Sequence, residues 1–190
     1  MPYPIIEDVT FFHEDFGIKK LCFAQYENCR FENCNFEGQN LSQFRFLNCE
    51  FLRCNLSLTD MQNVTLQGDI FKECKMLGMR FDLCNPFNLS FTFHNCLLDH
   101  SSFYKTVVKK TIFQTCELKE VDFEQCNLTQ SVFDNCNLLH SKFFQSILEK
   151  VDFRSAYNYT IDPDNNKLKK AKFSLVGIPG LLEKYDININ

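Results

Sequence analysis

Large apolar residues recur at every fifth position along most of this chain, with polar residues between them. The pattern is unbroken from Phe113 to Phe153, where Phe or Leu occupies each fifth position. A small or modest residue (Cys, Ser, Thr or Val) stands two positions before each of them. A period of five fits neither the 3.6-residue repeat of an α-helix nor the two-residue alternation of a β-strand. The pattern therefore predicts a solenoid, in which each repeat packs only on its neighbours.

The register of the repeat predicts how the chain is organised. It holds from Leu21 to Phe81 and again from Phe93 to Phe153, with two additional residues in the interval between these runs. We expect this register shift near residues 82–92, with the bulge at Pro86, because proline lacks the amide hydrogen that ladder pairing needs. The predicted organisation is an N-terminal cap at residues 1–10, a repeat domain at residues 11–155 and a C-terminal cap at residues 156–190.

The individual repeats resemble a known motif. Cys34-Asn-Phe36, Cys126-Asn-Leu128 and Val151-Asp-Phe153 each combine a small residue, Asn or Asp, and Leu or Phe. Over about residues 6–155 the chain resembles the pentapeptide-repeat family. The resemblance implies an all-β solenoid, the right-handed quadrilateral β-helix, with one pentapeptide per side and four per turn, followed by a short C-terminal helix.

A four-sided coil makes a testable pattern, because residues twenty apart should then stack. Once the two additional residues are allowed for, one side carries Phe at every turn, and the small inward position of the next side carries Cys. Rings stacked at the spacing of neighbouring strands, about 4.8 Å, can pack with a lateral offset. The predicted core ladder comprises Phe11, Phe31, Phe51, Phe71, Phe93, Phe113, Phe133, Phe153, Cys34, Cys54, Cys74, Cys96, Cys116 and Cys136.

Two polar residues stand where the pattern asks for a small inward residue, namely Gln39 and Asp69. A polar side chain that is buried needs hydrogen-bond partners. We expect the coil to be locally irregular at these positions, and we give them no functional role.

Charge and cysteine content narrow the function classes. A net charge of −4 and a pI near 5.6 argue against a protein that binds nucleic acid directly, since such proteins carry a basic stripe. Ten of the eleven cysteines stand two residues before a repeat centre, so we expect buried, reduced thiols that pack as small apolar groups. Reduced thiols, the lack of a signal-peptide pattern and the lack of an apolar run of about 18 residues predict a cytoplasmic protein without a membrane segment.

No arrangement of residues indicates an enzyme, and we expect no catalytic residues, no cofactor and no metal. His100, Glu120 and His140 form an outward column, but a straight exposed column does not converge on one ion. Lys105, Lys109 and Lys110 form a basic spot beside the fourth side, with further lysines at Lys167–Lys172. The first interpretation is an ordinary solvated surface, and the alternative is a local docking patch for an acidic partner.

The C-terminal residues predict a cap with a possible second role. Pro179 favours the start of a short helix through Tyr185, which would cover the last rings of the coil. The segment resembles the C-terminal helix through which quinolone-resistance (Qnr-type) pentapeptide proteins dimerise end to end. This resemblance implies a homodimer whose interface comprises Leu181, Leu182, Tyr185, Ile187 and Ile189.

Two functions follow as hypotheses. The first is a non-catalytic protein-interaction module with an unknown partner. The second comes from the resemblance to Qnr-type proteins, which implies a mimic of duplex DNA that binds DNA gyrase or topoisomerase IV and lowers quinolone sensitivity. The mild net charge and the short insertion, in place of the long loops of some Qnr proteins, depart from that group. The outward acids that would serve the mimic are Glu32, Glu37, Asp82, Glu117 and Glu124.

Overall fold

The computed structural model describes residues 4–188 as a coil of short parallel strands with a short helix near its end. It confirms the right-handed quadrilateral β-helix that the repeats imply. A four-residue helix, α1 (Pro179–Leu182), follows the coil, and two 3-10 turns occupy Phe81–Leu83 and Glu183–Tyr185. The strands are β1 (Ile5–Glu7), β2 (Thr10–Phe12), β3 (Gln25–Glu27), β4 (Arg30–Glu32), β5 (Arg45–Leu47), β6 (Glu50–Leu52), β7 (Thr65–Lys72), β8 (Ser90–His94), β9 (Ile112–Gln114) and β10 (Val132–Asp134).

The four sides of the coil stack in register. We number them by the first repeat centre that each carries: Phe11 on the first side, Phe16 on the second, Leu21 on the third and Ile6 on the fourth. The strands lie on the first and fourth sides, where Phe11 pairs with Phe31 and Ile6 with Tyr26. The second and third sides are held largely by single parallel bridges at the same offset of twenty residues.

The corners explain the period of five. The residue two positions after a repeat centre often has a left-handed backbone, as at Asn33 (φ 53°), Asn95 (φ 52°) and Gly38 (φ 64°). Asn and Gly tolerate this conformation better than other residues do. A corner of this kind after each five-residue repeat brings the chain back to the same side after four repeats, which gives the parallel pairing at an offset of twenty.

The register shift lies within the interval that the sequence predicts for it. The amide of Asn85 still donates to the Val64 carbonyl, as in the preceding turns, and the Gln67 side chain donates to the Phe87 carbonyl. The backbone of Gln67 pairs with Ser90 at an offset of twenty-three, and Asp69 pairs with Phe91 at an offset of twenty-two. The two additional residues therefore lie between Asn85 and Phe91, an interval that contains the exposed Pro86.

The coil also extends beyond its predicted limits at both ends. Ile5–Glu7 already pairs with β3, so these residues belong to the first turn rather than to a separate cap. At the other end, Asp152 bridges Lys172, and the Phe173 ring stacks on Phe153 at 5.3 Å. The sequence hides this last turn because its second and third sides lose the repeat motif, while the first side keeps the twenty-residue spacing.

Candidate interaction surfaces

The inward rings of the first side form one continuous column. Neighbouring ring centroids lie 4.8–5.3 Å apart, and their planes differ by no more than 18°. Ring pairs of this kind contribute about 0.5–1.5 kcal/mol each beyond the burial of their area. The column runs through Phe11, Phe31, Phe51, Phe71, Phe93, Phe113, Phe133, Phe153 and Phe173, so the structure brings all eight predicted Phe residues together and adds a ninth.

The small inward residues do more than fill space. The six predicted cysteines of the second side are buried, and the thiol of Cys54 lies 3.3 Å from the Phe31 carbonyl oxygen one turn earlier. Hydroxyl groups at equivalent positions donate to the same kind of carbonyl, as Ser146 does to Phe123 at 2.8 Å. Burial raises the pKa of the Cys126 thiol to about 12, which keeps it protonated and able to donate. The cysteines at these inward positions are all buried, so their thiols are not exposed on the surface.

Among residues 4–188, Asp69 is the one acidic residue that is buried in the core. It is fully buried, and its two oxygens accept hydrogen bonds from the backbone amides of Cys49 and Gln67, both at 2.8 Å. Burial raises the pKa of Asp69 well above its ordinary value, and the two amide donors offset this only in part. Gln39, the other polar residue at an inward position, is only half-buried.

The outward acids do not form an uninterrupted negative stripe. Glu32 forms ion pairs with Arg30 and Arg53. Arg30 also pairs with Glu50, on the next turn. Among the other predicted acids, Asp82 pairs with Arg80 at 2.6 Å, Glu117 pairs with Lys119 at 2.9 Å, and Glu37 accepts a hydrogen bond from Asn55. Local cations thus neutralise much of the acidic character that the sequence suggests.

The histidine column stays open to solvent. His100 lies 3.4 Å from Glu120, and both side chains are more than half exposed. Within residues 4–188 no group of three or more His, Cys, Asp or Glu residues is arranged to hold a metal ion. None of the helices in this part of the chain has the length and apolar character that a bilayer-spanning helix requires.

The fourth side separates charges of opposite sign. Glu7 and Asp8 are exposed at its first turn, whereas the lysines near its last turns are exposed and form no ion pair among the described residues. The basic spot of the sequence divides here: Lys105 lies on the third side, and Lys109 and Lys110 on the fourth. The unpaired lysines of the fourth side are Lys109, Lys110, Lys150, Lys167, Lys169 and Lys170.

The chain crosses the fourth side nine times. The repeat centres of these crossings are Ile6, Tyr26, Phe46, Leu66, Pro86, Val108, Leu128, Leu148 and Leu168.

The predicted dimer residues of the C-terminal segment differ in exposure. Leu181 packs against the core and Leu182 is half-buried, whereas Tyr185 and Ile187 are more than half exposed. Ile189 lies outside the described residues.

Sequence reasoning missed several exposed apolar residues, and three of them lie on surfaces that are discussed below. Leu175 and Val176 are each 91% exposed in the turn before α1, and Phe87 is 69% exposed on the fourth side. Their positions in the sequence could have indicated this exposure. Phe87 stands where the five-residue register places an outward side chain, and Leu175 and Val176 follow the end of the repeats.

Comparisons with known proteins agree with this geometry. Family models described as "Pentapeptide repeat region" and "Pentapeptide repeats (8 copies)" match residues 89–157 and 29–68. A trypsin-treated form of QnrB1, a plasmid-mediated fluoroquinolone resistance protein, is 17% identical with a TM-score of 0.66, over 99% of this chain and 98% of that one. HetL, involved in heterocyst differentiation regulation in the cyanobacterium Nostoc sp. strain PCC 7120, is 10% identical with a TM-score of 0.57, over 92% of this chain and 88% of that one. Comparison with curated proteins found no match.

Proposed function

Because this chain belongs to the pentapeptide-repeat family, we propose that it acts as a non-catalytic protein-interaction module. The observation that supports this most is that the inward and the outward positions of each repeat have separate roles. Inward side chains build the Phe column and its hydrogen-bonded small residues, and outward side chains form four long faces with a regular spacing of about 4.8 Å between turns. Such faces present ordered charges and apolar groups to another protein, as other solenoids do.

The cell compartment that we propose is reducing. All eleven cysteines are unpaired, and ten of them are buried in the core. Thiols persist in this state in the cytosol, where glutathione and thioredoxin keep them reduced. The cytoplasm is therefore the compartment in which the reduced thiols of this core are chemically stable.

A DNA-mimicking inhibitor or protector of DNA gyrase or topoisomerase IV is the second candidate. The structural likeness to QnrB1 over nearly the whole of both chains supports it, although at 17% identity that likeness concerns the fold. The ion pairs at Glu32, Asp82 and Glu117 weigh against it, because a mimic of duplex DNA needs uncompensated negative charge. The short insertion between Asn85 and Phe91 also offers no long loop for contact with gyrase.

A homodimer formed through the C-terminal segment is part of the proposal. The exposed Tyr185 and Ile187 of the predicted interface lie in the same segment as Leu175 and Val176. Together they give the end of the rod an apolar surface of the kind that pairs subunits. Leu181 supports this end from within, since it packs on the core.

Charge reversals on separate faces test the interaction module. Glu120→Lys, Glu124→Lys and Lys110→Glu change the second, third and fourth sides, and all three residues project outward without filling the core. Each tagged variant is used to capture proteins from a native lysate, and captured proteins are quantified against wild type. We expect a partner that one reversal removes and the other two retain, with unchanged melting temperatures. Equal capture by all forms, at the level of an unrelated solenoid of the same charge, would contradict the proposal.

A supercoiling assay separates the two candidates. The wild-type protein is added to DNA gyrase in increasing excess, with and without a quinolone. The interaction module with another partner predicts unchanged supercoiling and unchanged quinolone inhibition at many-fold excess. Inhibition of supercoiling, or rescue from the drug, would replace it by the gyrase-directed function.

A further inference from the structure

The two ends of the fourth side carry charges of opposite sign, whereas Lys109 and Lys110, next to its middle, have no acidic counterpart at Gln67 and Gly68. On this side, the outward residues one and two positions after the repeat centre are Glu7 and Asp8 at the first crossing and Lys169 and Lys170 at the ninth. The middle, fifth crossing is centred on Pro86. The opposite charges thus lie at equal distances from Pro86, about 19 Å in each direction if turns are about 4.8 Å apart.

An exposed aromatic residue stands at that midpoint. Phe87 follows Pro86 by one position and is 69% exposed, and its carbonyl oxygen accepts a hydrogen bond from the side chain of Gln67, which lies in the outward column that begins at Glu7. Val107, at the next crossing, is 56% exposed. Apolar residues at the centre with charged residues at the ends are typical of protein–protein interfaces.

The symmetry of a face-to-face pair matches this arrangement. Two copies whose fourth sides face each other, with their rods antiparallel, are related by a two-fold axis that crosses the rods between the faces. Such an axis through the fifth crossing places each outward column on the same column of the other copy. Glu7 then meets Lys169 of the second copy, Asp8 meets Lys170, and the two Phe87 rings meet at the axis.

We propose that the fourth side is a self-association surface, on which a second copy of this chain packs antiparallel with Phe87 at the two-fold axis. Charge complementarity favours a second copy as the partner, because the acids at one end of the fourth side can pair with the unpaired lysines at the other end of the second copy. A face about 38 Å long and about 12 Å wide buries roughly 450 Å² per copy, as estimated from strand spacing and residue rise. This is below the size of permanent interfaces, so the dimer forms in a concentration-dependent manner. The surface is separate from the C-terminal end of the rod.

One contact in this arrangement is unfavourable. Glu27 at the second crossing meets Glu149 at the eighth, in the same column. The neighbouring Lys150 moderates the repulsion without removing it. The Glu149→Lys substitution converts two equivalent repulsive contacts of the dimer into attractive ones, and should therefore tighten it.

Sedimentation equilibrium of the full-length chain at low and high salt tests these statements. Wild type should self-associate, and the dimer should weaken as salt rises, because surface charge pairs are screened. Glu149→Lys should lower the Kd about fivefold or more at low salt, a size set by two rim contacts of up to about 1 kcal/mol each. Phe87→Ser should raise the Kd about tenfold. The matched control is Phe144→Ser, which removes an exposed ring (43%) from the third side and should leave the Kd unchanged.

A site-specific cross-link gives a second readout. In a Cys22→Ser background, which removes the exposed thiol, Phe87→Cys should give a disulfide-linked dimer under mild oxidation and Phe144→Cys should not. A wild-type chain that stays monomeric at hundreds of micromolar overturns the proposal. So does a dimer that responds equally to Phe87→Ser and Phe144→Ser, is unaffected by Glu149→Lys, and gives no cross-link at position 87, because that dimer would use another surface.

Discussion

At the scale of single residues, the inward position two before each repeat centre is defined by size and by hydrogen bonding. Cys54 places its thiol on a carbonyl oxygen of the preceding turn, Thr59 donates its hydroxyl to Phe36 at 3.0 Å, and Ser146 donates to Phe123. A small residue with a donor therefore adds a hydrogen bond between turns, even to a carbonyl that also accepts a backbone amide, as Phe36 does from Gln39. The sequence predicts the small size, because it repeats, but the donor role becomes visible only when the carbonyl is located.

Asp69 is the exception at this position, and it gives the protein a pH-dependent stability. In the unfolded chain its carboxyl group ionises near pH 4, whereas in the folded chain burial keeps it protonated to a higher pH. A pKa raised by folding means that the free energy of unfolding falls as pH rises from about 4 towards the folded pKa, by about 1.4 kcal/mol for each pKa unit of separation. Asp152 acts in a different range, because its pairing with Arg154 lowers its pKa to about 2 and affects stability only at acidic pH.

The Asp69→Ser variant tests this effect. Ser131 occupies the equivalent position three turns later, where its hydroxyl accepts from the Thr111 amide and donates to the Val108 carbonyl. The variant should therefore keep the hydrogen bond from the Cys49 amide, lose the one from the Gln67 amide, and lose the titration of the site. Urea unfolding between pH 4.5 and 8 should show a flatter stability profile for Asp69→Ser than for wild type. Parallel profiles would mean that Asp69 is ionised in the folded protein.

At the scale of elements, the sequence predicts the repeats well and the end of the coil poorly. The period of five and the stacking at twenty follow directly from the residues, since each corner requires the same local geometry. The two-residue shift lies between Asn85 and Phe91, inside the interval where the register of the sequence places it. Phe173 was assigned to the cap because the second and third sides lose their motif after Phe153, while the stack on the first side continues.

The C-terminal segment shows the same limit for the predicted dimer interface. Its short helix is confirmed, but exposure depends on how it folds back on the last turn. Gly180 lies so close to Tyr159 that a Cβ atom there would be 2.1 Å from the Tyr159 carbonyl oxygen. This close packing turns Leu181 towards the core and leaves the preceding turn, with Leu175 and Val176, facing outward. The repeat pattern of the sequence does not predict such a contact.

The Leu175→Asp variant tests pairing through this segment. Leu175 is 91% exposed, so the substitution removes an apolar contact surface without opening the core. Light scattering should show a smaller mass for Leu175→Asp than for wild type, with an unchanged melting temperature. Leu181→Asp, by contrast, should lower the melting temperature, since it places a charge against the core. Equal masses for Leu175→Asp and wild type would exclude this turn from a dimer interface.

At the scale of the whole molecule, net charge is a poor guide to what the surface offers. A total of −4 suggests a mildly acidic rod, but the acids of the first side are paired with arginine and lysine in ladders such as Arg30–Glu50–Lys72. Six lysines that form no ion pair among the described residues lie on the fourth side, and four more lie on other sides. Which charges pair depends on the four-sided geometry and on the two-residue shift, so neither surface could be read from composition.

The stability of the rod should depend on the contacts between neighbouring turns rather than on one globular core. Phe113 is fully buried, stacks on Phe93 at 5.3 Å and Phe133 at 4.8 Å, and is one of the contacts that join the N-terminal half of the column to the C-terminal half. Replacing it by alanine leaves a cavity that costs about 3–5 kcal/mol. In a solenoid each turn is stabilised mainly by its neighbours, so this loss weakens the coupling between the two halves.

Phe113→Ala should therefore change the shape of the unfolding curve as well as its midpoint. Wild type should unfold in guanidinium in one steep transition, and the variant in two shallower ones, because the halves no longer unfold together. Circular dichroism follows the unfolding of the β-structure of both halves and so records whether there are one or two transitions. Phe144→Ala, at an exposed outward position, should leave the curve unchanged. A single transition of unaltered slope for Phe113→Ala would show instead that stability is shared along the whole rod, with coupling that reaches beyond adjacent turns.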